Sequence, residues 1–93
     1  MASDIDDITM EYEEDGVLLV KENGKEILSR GAWCTILFRY TQLDKKTGDF
    51  GSERYSIRRY RKINGEYLQQ SKFNISSEEQ ARKIAGTLAA WLD

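Results

Sequence analysis

The chain has no histidine, no proline and a single cysteine, Cys34. Without histidine, no serine–histidine or cysteine–histidine nucleophile pair can be assembled. One cysteine and no histidine leave no zinc ligand set, so no metal site is expected. The carboxylate pairs Glu13/Glu14 and Glu78/Glu79 fall in an acidic stretch and at a helix start, positions that do not suit a general acid/base pair. The glycines are scattered among turn signals, and none forms a phosphate-cradling loop. An enzyme is therefore not expected, nor a cofactor or a small-molecule substrate. A lone cysteine excludes an internal disulfide framework and fits a reducing, cytoplasmic setting. Lack of proline removes X–Pro isomerisation as a slow folding step. No apolar run approaches the ~20 residues of a membrane span. The acidic, polar N-terminal stretch resembles neither a secretory signal nor a transit peptide.

What is present is charge, unevenly placed. Of 93 residues, 32% are charged and 40% hydrophobic, the balance of one soluble globular domain. The formal net charge of −2 hides an asymmetry. Residues 1–15 hold seven acids and no base; residues 16–93 hold all 14 basic residues and nine acids, which makes −7 for the first segment and +5 for the second. The first segment has little periodicity and reads as an acidic, mostly disordered arm. Two roles suit it: a solubilising tail, or an arm that folds over the basic body and competes with a polyanion. Residues 16–93 read as one domain of β-sheet plus helix.

Along that domain, Val17–Val20 is a short strand, and Asn23-Gly24 is a hairpin signal before Lys25–Leu28. Ala32–Gln42 is the strongest strand, rich in β-branched and aromatic residues, with Cys34, Ile36, Phe38 and Tyr40 on one face. Asp44–Gly51 reads as a turn-rich loop. Two further strands flank Asn64-Gly65, a dipeptide suited to a tight primed turn. Ser76 is placed to cap a C-terminal helix, with Glu79 three residues on as its reciprocal partner. Ala81, Ile84, Ala85, Leu88 and Leu92 give that helix a one-sided apolar stripe, which Trp91 widens. The fold class expected is α+β (ββββα): an antiparallel sheet of four to five strands followed by one C-terminal helix packed on one sheet face.

The Glu53–Ile75 stretch organises this arrangement. Side chains alternate along a strand, so Arg54, Ser56, Arg58, Tyr60 and Lys62 share one side, and Tyr55, Ile57, Arg59 and Arg61 the other. Burying several unpaired cations is costly, which predicts that the Arg58 side faces solvent or a polyanion. With Arg39 and Lys72, and with Trp33, these residues form a basic face interleaved with aromatics. Such a face suits phosphates and stacked bases, although exposed strands also carry lysine and arginine simply to discourage edge pairing.

Tyr55-Ser56-Ile57-Arg58-Arg59-Tyr60, Asn64-Gly65-Glu66 and Lys72-Phe73-Asn74-Ile75-Ser76, in an order of strands then one helix, resemble the positive cofactor 4 family of transcriptional coactivator-type single-stranded DNA-binding domains. Phe38-Arg39 is similar to a hydrophobic–arginine pair in an earlier strand of that family. The resemblance spans roughly residues 33–90, a set of short motifs of the kind treated as hypotheses. It implies a homodimer built partly through the helices, and single-stranded DNA lying across the sheet. It also places Arg39, Arg58 and Lys72 at phosphate- or base-contacting positions. Arg61 stands where the family often has tryptophan. The expected function is binding of single-stranded nucleic acid with low sequence specificity, in transcription regulation, replication or repair. The expected nucleic-acid-binding residues are Arg39, Arg54, Arg58, Tyr60, Lys62, Lys72 and Trp33. Two alternatives stay open: a duplex reader resembling integrase arm-type domains, and a protein-interaction module that binds no nucleic acid.

Overall fold

The computed structural model describes residues 2–93. Five strands follow one another: β1 (Tyr12–Glu14), β2 (Val17–Ser29), β3 (Trp33–Gln42), β4 (Arg54–Ile63) and β5 (Glu66–Ile75). They make one sheet in the order β1-β2-β3-β4-β5, every neighbour antiparallel. The helix α1 (Glu78–Leu92) follows. The fold is thus α+β, an antiparallel sheet and then one C-terminal helix, as the sequence predicts.

Turn chemistry explains two of the reversals. Asn64 and Gly65 have φ of 51° and 83°, the paired positive values of a primed turn between β4 and β5. Asp15 and Gly16, at 51° and 79°, close β1 onto β2 by the same device. Asn23-Gly24 behaves differently. The expected hairpin there is absent, and β2 runs straight through as a strand of 13 residues with a register shift between Glu22 and Gly24. Asn23 is the extra residue of a bulge. The Arg39 side chain lies over Gly24: a Cβ there would sit 3.1 Å from Arg39 Nε, a tight contact that the arginine would have to shift to relieve.

The core lies on one face of the sheet. Cys34, Ile36 and Phe38 of β3 are fully buried, and Tyr40 and Tyr60 nearly so. Their cover is the N-terminal segment, which the sequence predicts to be mostly disordered and which is instead folded. Ile5, Ile8 and Met10 are buried in the same cluster. Ile5 stands in a 3-10 turn, Ile5–Asp7, that Asp4 caps. Polar ties carry the segment across the sheet. Lys25 Nζ donates to the carbonyls of Asp6 (2.9 Å) and Ile8 (2.7 Å), and Arg30 pairs with Asp6 at 3.0 Å. Thr9 Oγ1 donates to Glu22 Oε1 at 2.7 Å, and Tyr67 N–H donates to the Ala2 carbonyl at 2.8 Å. Isoleucines three apart supply the apolar stitches, while the acids between them point to water.

With that face filled, α1 is left at the margin. None of its residues is buried, and it meets the sheet along β5. Its cap is Ser77, one residue beyond the expected Ser76; Ser77 Oγ accepts from Gln80 N–H at 3.0 Å. Gln80, not Glu79, reaches back, its Oε1 accepting from Ser76 N–H at 2.7 Å.

Candidate nucleic-acid interface

Register decides which face each cation occupies. β4 pairs with β3 so that Cys34 lies opposite Tyr60, Ile36 opposite Arg58, Phe38 opposite Ser56 and Tyr40 opposite Arg54. Directly opposed residues share a face. The side carrying Arg54, Arg58, Tyr60 and Lys62 is therefore the core side, where the sequence reading places it on the open side. The physical objection to buried cations still holds, and the sheet meets it by dividing this face. Tyr60 is buried under the cover and Ser56 is buried beside Asn74 and Arg58, whereas Arg54 and Lys62 near the strand ends stay exposed and Arg58 is half-buried. β5 extends the polar half: Lys72 lies opposite Arg58, and Asn74 opposite Ser56.

Arg58 is the fixed point of this half-face. Its Nη1 donates to Gln69 Oε1 at 3.1 Å and its Nε to Ser56 Oγ at 3.3 Å. Ser56 Oγ donates in turn to Asn74 Oδ1 at 2.7 Å. The guanidinium is thus oriented by neutral groups, with no carboxylate paired to it. Tyr60 is no stacking platform, contrary to expectation: only 6% of it is exposed. Burial raises the pKa of its hydroxyl, an effect that the Arg58 guanidinium opposes. Lys62 sits over the ring of Tyr67, with Nζ 5.6 Å from its centroid.

Arg39 and Trp33 lie on the opposite face. Arg39 is opposite Tyr55 and Trp33 opposite Arg61. The seven expected residues are therefore split, five on the core-side face and two behind it. Arg39 is also paired, its Nε 3.5 Å from Glu53 Oε2. The sequence reading overlooked Arg59 and Arg61, assigning their parity to the inward side. That side is instead the uncovered face, where Leu37, Ile57 and Phe73 form a cross-strand row and Phe73 is 50% exposed.

Most of the cations on β4 and β5 are unpaired. Among the described residues, ion pairs join Arg30 to Asp6, Arg39 to Glu53 and Arg82 to Glu78. Arg54, Arg58, Arg59, Arg61, Lys62 and Lys72 have no carboxylate within ion-pair distance. Six unneutralised cations on two adjacent strands, in a chain of net charge −2, form a local positive field. The chain matches no protein-family model, no curated protein and no solved structure.

Proposed function

We propose that this protein binds single-stranded nucleic acid through the polar half of its core-side face, with Arg54, Arg58, Lys62 and Lys72 neutralising phosphates. The observation that carries this reading is the set of cations on β4 and β5 that no carboxylate neutralises. Alternate positions on a strand are roughly 7 Å apart, so Arg54 and Arg58 stand roughly 13 Å from each other in one line, with Lys72 directly across from Arg58, and Lys62 stands a similar distance further on, past the covered Tyr60. A flexible single strand can bring its phosphates to such a line. Gln69 and Asn74, both exposed beside Arg58, offer amides to sugars or base edges. No exposed aromatic ring among the predicted site residues stands on this half-face, so contacts are mainly to the backbone, and phosphate contacts carry no sequence information. Low sequence specificity follows.

The same reading includes a homodimer. The chain exposes 6735 Å², whereas a compact monomer of this mass exposes about 5,500 Å². The excess is on the scale of one side of a standard interface, roughly 800 Å². Leu88, Trp91 and Leu92 on α1 are 48%, 78% and 83% exposed, and a second copy of the same stripe is the partner that fits them.

Fluorescence anisotropy with a labelled ~20-nucleotide strand and its duplex tests the binding. Affinity for the single strand should fall steeply between about 50 and 200 mM salt. Arg58→Ala should weaken binding across sequences and flatten the log–log salt slope by about one phosphate's worth, roughly 0.7. Preference for the duplex would favour groove reading by strands. Salt-independent or absent binding would move the search to protein partners.

A further inference from the structure

On the face behind the proposed track, three residues form a cluster that this function does not use. Trp33 begins β3, and Arg61 lies directly across from it on β4. Arg59, two residues away on the same side, lies opposite Thr35. Both guanidiniums are over the indole: Cζ of Arg59 is 4.5 Å from the Trp33 ring centroid, and Cζ of Arg61 is 5.5 Å from it. Trp33 is 42% exposed, and both arginines are exposed.

Stacking on an aromatic ring uses the flat face of a guanidinium and leaves its in-plane N–H donors free. It also holds the long side chain in one orientation, which lessens the ordering cost when a ligand arrives. Two such groups lie within 5.5 Å of one ring centroid, with no carboxylate paired to either, and so bring two forks of donors beside the same indole. That arrangement matches the several acceptor oxygens of a phosphate, which arginine binds in bidentate fashion. Across β4–β5, Ser71 lies opposite Arg59 and adds a hydroxyl donor to the same row.

We propose that Arg59 and Arg61, stacked on Trp33, form a second phosphate-binding site on the sheet face opposite Arg58 and Lys72. The site stands on its own geometry and does not need the first track. Its phosphate comes from a second stretch of polynucleotide or from a free polyphosphate, and two probes separate these sources. With both faces in use, one chain holds two phosphate-bearing segments at once.

Trp33 reports on its own site. The chain has 2 tryptophans, so Trp91→Phe leaves Trp33 as the sole indole emitter. In that background, a labelled single strand is followed by anisotropy while Trp33 emission is recorded, and inorganic tripolyphosphate is titrated separately at matched ionic strength. A ligand that draws the guanidiniums toward itself changes the indole environment. Saturable change in Trp33 emission with the strand, retained in Arg58→Ala and lost in the R59Q/R61Q double variant, is the expected result. The same loss with tripolyphosphate, in a protein whose anisotropy shows no strand binding, would keep the phosphate site and remove the proposed function. Strand binding by anisotropy with Trp33 emission unmoved by either probe would overturn the second site and leave the function standing. An emission change that persists unaltered in R59Q/R61Q would also overturn it. Both arginines are exposed, and far-ultraviolet circular dichroism checks that the double variant keeps the fold.

Discussion

Cys34 is a single buried group through which burial couples stability to alkaline pH. It is fully buried on β3 beneath Ile5, Ile8 and Met10. Desolvation raises its thiol pKa above the ordinary 9.0, with Arg30 and Lys25 pulling weakly the other way. The folded state therefore favours the protonated thiol more than the unfolded state does. Its contribution is fully present below pH 9.0 and is lost as pH rises from 9.0 through the raised folded value. Tyr60, raised from 10.0 by the same cause, extends the decline to higher pH. Urea midpoints measured from pH 7 to 11 should be level up to about 9 and then fall. Cys34→Ala should start lower, because a buried side chain is trimmed, and should stay level until the tyrosine range. An identical fall from pH 9 in both proteins would show that burial does not govern this thiol. At this scale the sequence was informative: the alternation Cys34, Ile36, Phe38, Tyr40 identifies all four as inward. It could not show that Tyr60 joins them, because a lone tyrosine between arginines reads equally well as exposed.

At the scale of elements, the N-terminal segment carries the main difference between sequence and structure. Seven acids in residues 1–15 suggest a solvated tail, and the isoleucines among them are too few to show a period. Their role depends on long-range contacts with β3 and on Lys25, whose ammonium binds two carbonyls of the segment. The segment does lie over the cationic face, but over its apolar half, so it serves as a structural cover. Ile8, 4% exposed, should lose roughly 2–4 kcal/mol on truncation to alanine, read as a lowered urea midpoint with an unchanged slope. Removal of residues 1–11 should expose Cys34, Ile36 and Phe38 together. The product should then bind a hydrophobic dye and aggregate, in place of a folded domain with tighter nucleic-acid affinity. A truncated protein with native circular dichroism and unchanged melting would refute the covering role. The turns give a parallel lesson. Asn64-Gly65 and Asp15-Gly16 both carry the primed-turn signature, and both reverse the chain. Asn23-Gly24 carries it too, yet the ladder between β2 and β3 continues past it. Pairing along a full strand outweighs the preference of one dipeptide.

For the whole molecule, the open question is how its remaining apolar surface is satisfied. The chain is flat, with extents of 45 × 38 × 17 Å, and its radius of gyration is 14.8 Å, against about 12 Å for a compact domain of this length. The sequence predicts the helix stripe correctly and assigns it to the sheet, because one amphipathic helix and one half-apolar sheet ordinarily complete each other. That assignment fails because the N-terminal segment already occupies the core-side face. Ile84, Thr87, Leu88 and Trp91 instead line a shallow apolar hollow on α1. An isologous contact, in which each helix covers the other, buries this stripe with the fewest new requirements. It would also place two cationic β4–β5 surfaces on one particle, which raises affinity for a strand long enough to reach both. Sedimentation equilibrium should give twice the 10.8 kDa chain mass. Leu88→Glu should halve that mass while leaving the fold intact, since Leu88 is 48% exposed and lies outside the buried core. The same variant should bind a short strand, which spans one surface, as well as the parent does, and a long strand less tightly. A parent protein that sediments as a monomer at tens of micromolar would remove the dimer, and the α1 stripe would then need a different protein to cover it.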